Sequence, residues 1–249
     1  KVRLPQVLDW INLNQPDVLC LQETKQNNDN FPHDVFKKIG LFSYHNGQNT
    51  YNGVAIISNK ELIDVQFDIP NFYDEQKRLI SGIYPNDEDP KFRVISAYIP
   101  NGQSLNSDKF EYKMNWIKSF ISFLQTKIDG IENIITGDFN IAPTTLDCYD
   151  SKSWDGKILV SPQEREYFNK LLNVGFIDTF RKMNPNANEF SWWDYRIPFK
   201  RNLGMRIDHI LLSKNLLTFL KKAYIDKTTR TLERPSDHVP VVTELSLNP

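Results

Sequence analysis

Short apolar runs, each closed by polar or turn-forming residues, constrain the fold of this chain more than any other feature. "DVLCLQ", "GVAIIS", "ELIDVQFDI", "LISGIY", "FRVISAYIP", "ENIITGDFN", "RIDHILLS" and "VPVVTELSL" have the length and β-branched content of strands, and Pro, Asn, Asp and Gly stand between them. Helical spacing interrupts them. Leu4, Val7, Leu8 and Ile11 predict a helix that stops before Pro16, and Phe110, Met114, Ile117, Ile121, Leu124 and Ile128 predict a longer one ended by Gly130. In "SPQEREYFNKLLNVGF" Ser161 is the expected N-cap, Pro162 suits the first turn, and Glu164 closes a capping box. Strands and helices are mixed, and several strand pairs are joined by short loops. The expectation is an α/β fold with a partly antiparallel sheet.

Forty per cent apolar and 24 % charged residues in 249 positions give an ordinary globular balance with enough material for a sizeable core. No apolar run reaches the roughly 18 residues that a membrane helix needs. There is no internal repeat, low-complexity tract or linker, so one domain over residues 1–249 is expected. Cys20 sits in an apolar run and Cys148 in a polar loop; neither has metal-ligand spacing, which favours a reducing, cytoplasmic setting. The formal charge of −1 excludes a globally basic polyanion binder, so the distribution of charge matters more than its sum. "WWDYRIPFKRNLGMR" carries Arg196, Lys200, Arg201 and Arg206 against one Asp194, and the acidic patch "NDEDP" lies elsewhere.

Four apolar runs deliver an acid at one end: Glu23, Asp138 (with Asn140), Asp208 and Asp237. A single such acid reads best as a loop cap. If the ends meet, four carboxylates share a pocket, and like charges repel or shift one another's pKa values. A divalent cation relieves that repulsion. Oxygen ligands with no Cys and little His favour a hard ion, Mg²⁺ or Mn²⁺. Such an ion also lets an acidic pocket accept a phosphate, which points to metal-assisted phosphoester cleavage. In "PSDHVP", Asp237 and His238 are neighbours on an extended segment and project to opposite sides. Asp237 is therefore poorly placed to orient His238.

"QPDVLCLQETK", "YNGVAIIS", "AYIPNGQ", "GDFNIAP", "FSWWDYR", "GMRIDHILLS" and "RPSDHVPV" together resemble the exodeoxyribonuclease III type of apurinic/apyrimidinic endonuclease, within the endonuclease/exonuclease/phosphatase superfamily. The resemblance covers nearly the whole chain. It implies a four-layer α/β/β/α sandwich, two mixed sheets face to face with helices outside, and an active site at one end of the sheets. It implies Glu23 as the principal Mg²⁺ ligand, with Mn²⁺ able to substitute. Asp138 would activate or orient the attacking water and share in the metal site, with Asn140 as its hydrogen-bonding neighbour. Tyr98 would contact the scissile phosphate. Asp208 and His238 would form a carboxylate–imidazole pair, leaving Asp237 for metal binding or leaving-group work. "FSWWDYR" and "GMRID" fall where the family builds a pocket for a sugar lacking its base, so Trp192, Met205 and Ile207 are expected there, with Asn101, Arg196 and Arg206 at the DNA. Tyr149 is bulky enough to narrow that pocket.

His209 should face away from the site in a structural role. His33 and His45 have no partner visible in the sequence, and Lys25 reads as a solvated side chain. The family opens with a core strand bearing an Asn that supports the metal, just before the helix starting here at "KVRLPQ". These residues contain no counterpart; if the strand is truly missing, an exposed sheet edge and weakened metal binding are expected. The implied activities are strand cleavage 5′ to abasic sites, 3′-to-5′ trimming of duplex DNA and removal of 3′ phosphates, by a bacterial, monomeric enzyme. An inositol or lipid phosphate phosphatase of the same superfamily would share the acids but has little use for "FSWWDYR". A damage-binding module that does not cut is the other alternative.

Overall fold

In the computed structural model, residues 2–85, 91–126 and 130–247 are described. "NDEDP" and the predicted helical position Ile128 lie outside them. The chain runs α1 (Leu4–Asn14), β1 (Val18–Gln22), α2 (His33–Lys38), β2 (Phe42–Asn46), β3 (Val54–Ser58), β4 (Ile63–Phe67), β5 (Leu79–Tyr84) and β6 (Lys91–Tyr98). It continues through α3 (Asp108–Gln125), β7 (Ile131–Asp138), α4 (Ser151–Trp154), α5 (Pro162–Asn173), β8 (Phe176–Asp178) and α6 (Thr179–Met183). Short strands β9 (Trp192–Trp193) and β10 (Gly204–Met205) precede β11 (Asp208–Ser213), β12 (Leu220–Ile225) and β13 (Val241–Leu245).

The strands form a six-stranded sheet, β4-β5-β6-β7-β11-β8, a three-stranded sheet, β1-β3-β2, and the pairs β12-β13 and β9-β10. Alternation along the strands explains the layers. Ile80, Val94 and Leu212 of the large sheet meet Val54 and Ile56 of β3 in a core between the sheets. Their neighbours Leu79, Ile95 and Leu211 point the other way, onto Phe110, Met114, Ile117 and Phe120 of α3 and Phe168 and Leu171 of α5. On the far side, Ala55 and Ile57 pack beneath Ile11 of α1 and Phe36 of α2. The order is helices, sheet, sheet, helices, as the resemblance implied. Each fully buried Ile, Leu or Phe contributes roughly 1.5–3 kcal/mol relative to exposure.

The predicted helix boundaries agree with α1 and α5. The Ser161 hydroxyl accepts from the Glu164 N–H, and the Glu164 carboxylate accepts from the Ser161 N–H. Strands β2, β8 and β12 carry too little apolar alternation to be predicted; β12, for example, exposes Lys221 and Lys222.

Most neighbours are antiparallel, but β6 and β7 are parallel, with α3 as the crossover. In their register Ala97 faces Gly137 and Tyr98 faces Asp138. Gly137 has φ 146°, and a Cβ there would lie 1.9 Å from the Ala97 carbonyl oxygen. Only glycine lets the two backbones approach this closely. Across the layer, β1 and β13 each present an edge with no strand partner among the described residues. Between them, under α1, lies a cavity of about 1180 Å³ whose walls include Trp10, Cys20, Ile134 and Val242.

Gly137→Ala is expected to destabilise the fold by about 3 kcal/mol or more through overpacking and backbone strain. A urea unfolding midpoint within error of wild type would contradict the close approach.

Candidate active site

Asp138 ends β7, and its strand partners in register are Tyr98 on one side and Asp208 on the other. Three functional side chains from separate parts of the chain are therefore adjacent on one sheet rim. Glu23, just past the end of β1, joins from the opposing sheet, accepting a hydrogen bond from the Tyr98 hydroxyl. Glu23 (φ 53°) and Asn140 (φ 51°) both adopt the left-handed conformation, which for non-glycine residues is held only where surroundings enforce it. At Glu23 the enforcement is visible. The N–H of Thr24 donates to the Gly53 carbonyl at 3.2 Å, that of Lys25 to Asn52 at 2.9 Å, and the Thr24 hydroxyl meets His45 Nε2 at 2.8 Å.

Asp138 is buried, with its Oδ1 accepting from the Asn140 N–H (2.8 Å) and its Oδ2 from Asn140 Nδ2 (3.1 Å). The Asn101 side chain donates in turn to Asn140 Oδ1 at 2.8 Å. His238 enters on the segment between Ser236 and Pro240, fixed to the rim by the Val239 N–H to Ser191 carbonyl bond and by bridge pairing with Trp192. Its Nδ1 lies 2.9 and 3.0 Å from the Asp208 oxygens, and its Nε2 lies 3.9 Å from Asp138 Oδ2. Asp237 instead accepts from Trp192 Nε1 at 3.1 Å. The two neighbours do separate jobs, and Asp208 is the imidazole's partner.

Burial lowers the basicity of His238, but Asp208 first, then Asp138 and Asp237, push it up to about 10, so the ring is imidazolium at neutral pH. Burial and the charge of Asp208 push Asp138 up to about 7, against the pull of His238 and the Asn140 N–H. Burial alone would raise Glu23; Tyr98, Lys25 and the charge of His238 outweigh it and hold the carboxyl below the usual range. Burial and the charges of Asp138 and Glu23 raise Tyr98, which stays a phenol with a proton to donate. Its ring lies 4.7 Å from the Arg78 guanidinium, which also donates to the Tyr98 carbonyl at 3.1 Å.

Among the described residues, Asp138, Asp208 and His238 offer ligand atoms all within 4.8 Å of one another. With His238 protonated and Asp208 as its partner, the carboxylates left to hold a divalent cation are Asp138 and, from the opposing sheet, Glu23, whose charges both bear on Tyr98. Ser191, which the sequence did not single out, braces the group. Its hydroxyl donates to Asp208 Oδ2 at 2.6 Å and accepts from the Ile207 and Asp208 N–H groups at 3.1 Å. It stands inside the quoted "FSWWDYR", but nothing in the sequence marks its hydroxyl. Arg78 and His45 were likewise legible only in space.

Several expected DNA-facing residues lie elsewhere. Arg206 is 1 % exposed and cannot reach DNA. Its Nε donates to Asp147 (2.7 Å), its two terminal nitrogens to Asp178 (2.8 and 3.1 Å), and one of these also meets His209 Nδ1 at 3.0 Å. Two carboxylates that fold around it make it a buried strut. Met205 and Ile207 are buried with Ala142, Cys148, Leu159 and Val160, so they underlie the surface, and half-buried Trp192 packs on that cluster. Arg196 is exposed beside the rim and pairs with Asp194. Tyr149 packs towards Phe180, Phe190 and Trp193. His209 is structural, as expected from its strand position, with Nε2 2.9 Å from the Ile141 carbonyl. His33 meets Ser43 Oγ at 2.8 Å, and Lys25 pairs with Glu23 at 2.9 Å.

The sequence profile described as the Endonuclease/Exonuclease/phosphatase family matches residues 3–238. The chain is 36 % identical to exodeoxyribonuclease III of Haemophilus influenzae, with 98 % of this chain and 95 % of that protein covered. Among solved structures it is similar to the 3′ phosphatase NExo from Neisseria bound to a product DNA hairpin (41 % identity, TM-score 0.94, covering 99 % of this chain and 95 % of the other). It is also similar to an AP endonuclease from Archaeoglobus fulgidus (33 % identity, TM-score 0.92, 98 % and 95 %).

Because the folded pKa of His238 lies above the ordinary 6.5, the stability it adds should be complete below pH 6.5 and vanish as the pH rises through about 10. In EDTA, urea unfolding of wild type and His238→Gln should give a stability gap that narrows from pH 6 to pH 10. A gap that widens would refute the Asp208–imidazolium pair.

Proposed function

The chain belongs to the endonuclease/exonuclease/phosphatase family, and from its rim chemistry we propose a Mg²⁺-dependent DNA repair nuclease of exodeoxyribonuclease III type. The observation that carries this reading is the convergence of Asp138, Asp208 and His238 within 4.8 Å beside the linked Tyr98 and Glu23. Likeness to a 3′ phosphatase holding a DNA hairpin and to an AP endonuclease supports DNA as the substrate. The proposed activities are incision 5′ to abasic sites, 3′-to-5′ trimming of duplex ends and removal of 3′ phosphates. No helix among the described residues is long and apolar enough to cross a membrane. A cytoplasmic monomer formed as one domain is the simplest setting.

Glu23, Asp138 and Asp237 would hold the cation. The bound ion would supply Lewis-acid neutralisation of phosphate charge, with Mn²⁺ as a substitute. Asp138, fixed by two bonds from Asn140, orients the attacking water and takes its proton as the water oxygen bonds to phosphorus, while the bond to the 3′ oxygen breaks and that oxygen leaves with a proton from solvent. Protonated His238, locked in one orientation by Asp208, faces a phosphate oxygen, and the Tyr98 hydroxyl donates to the same group. The imidazolium is in place before substrate arrives, so little reorganisation is required there as charge builds on phosphorus, whereas the Tyr98 proton has to leave Glu23 to reach the phosphate. Half-buried Trp192 offers an apolar face for a sugar without its base, with Arg196 and Asn101 nearer the strand.

The open edges of β1 and β13, and the cavity between them, also support a further extended segment that would complete the smaller sheet.

One assay separates the readings. A duplex with a single abasic site should be cut 5′ to the lesion with Mg²⁺ and left whole in EDTA, while a soluble inositol phosphate stays intact. Asp138→Asn should lose about a hundredfold or more in rate. Hydrolysis of the inositol phosphate with both damaged and undamaged duplex left whole would overturn the proposal in favour of the phosphatase. DNA binding without cleavage would favour a damage-recognition module.

A further inference from the structure

A buried ion pair lies beneath the site, outside the chemistry above. Lys113 is on the inward face of α3, between Phe110 and Ile117, and is fully buried. Its ammonium donates to the Glu164 carboxylate, to the Asn140 carbonyl at 2.8 Å and to the Asn101 carbonyl at 3.2 Å. All three N–H groups of the lysine are thereby used. Glu164 is equally buried and equally satisfied, accepting from the Leu159 N–H (3.1 Å), the Ser161 N–H (3.0 Å) and the Ser161 hydroxyl (2.7 Å).

Such a pair at best breaks even against apolar side chains of similar volume, so its contribution lies in geometry. Here the geometry is specific. One cation gathers the carbonyls of the two residues whose side chains form the support of Asp138. Asn101 donates to Asn140, and Asn140 donates twice to Asp138. Asn140 also holds the left-handed conformation, which a fixed carbonyl helps to maintain.

We infer that Lys113, anchored by Glu164, is a positioning residue that sets the Asn101–Asn140 pair and through it the orientation of Asp138. The ammonium never meets substrate. It fixes where the asparagine amides point, and so acts on turnover more than on DNA affinity.

The test uses Lys113→Met and the double variant Lys113→Met/Glu164→Gln, which leaves no charge buried alone. Lys113→Arg, which keeps the charge, is the third. Kinetics on duplex DNA are read beside the ¹H–¹⁵N signals of the Asn101 and Asn140 side-chain amides. In the first two variants kcat should fall about tenfold or more with KM within about twofold, and both amide signals should shift or broaden. Lys113→Arg should keep the signals near their wild-type positions and recover most of kcat. A folded double variant with unmoved amide signals and wild-type kcat would overturn the inference. So would an arginine variant as impaired as the methionine one. If Lys113→Met alone does not fold, the double and arginine variants still decide. The kinetic arm rests on the nuclease reading, but the amide arm does not. Wild-type protein that leaves DNA intact would refute that reading, while the amide signals would still decide the role of Lys113.

Discussion

The pairing of β6, β7 and β11 is the constraint from which the site follows. Because Tyr98, Asp138 and Asp208 are register partners across three neighbouring strands, their side chains are adjacent without any loop having to be positioned. A slip of one residue would turn each side chain to the opposite face of the sheet. Two features prevent it. The apolar alternation of all three strands is buried on both faces, and Gly137 admits an approach to Ala97 that no side chain would allow.

The rim brings together groups that repel, and the surroundings set which of them carries a proton. Asp208 holds His238 as imidazolium, while burial together with the charge of Asp208 drives Asp138 upward. Tyr98 remains a phenol between two acids. The buried struts work at one remove. Ser191 fixes Asp208, Arg78 backs the Tyr98 ring, Arg206 ties the start of β11 to Asp147 and Asp178, and Lys113 gathers the Asn101 and Asn140 carbonyls. Such fixed dipoles and charges gain strength from the exclusion of water around them.

Acids at strand ends were legible because an apolar run with a carboxylate at one end is a local pattern, and Glu23, Asp138 and Asp208 each show it. That they face one another is a matter of register, which no local pattern reveals. Arg206 shows the opposite failure. In the sequence it belongs to a basic strip, yet Asp147 and Asp178 arrive from distant segments and enclose it. Lys113 was hidden in the same way, as a charge inside a helical pattern read only for its apolar positions. Strands β2, β8 and β12 escaped because they are short and in part polar, and are fixed by their neighbours. His45 and Ser191 act through hydrogen bonds that no motif announces.

If the acids of the two sheets form one cluster, they must bind a single cation jointly. Mn²⁺ titration of the DNA-free protein, followed by electron paramagnetic resonance, measures this directly. Wild type should bind one ion, and Glu23→Gln and Asp138→Asn should each weaken the same event by about tenfold or more. Binding that is untouched by either substitution, or two independent events each lost with one acid, would contradict a shared site.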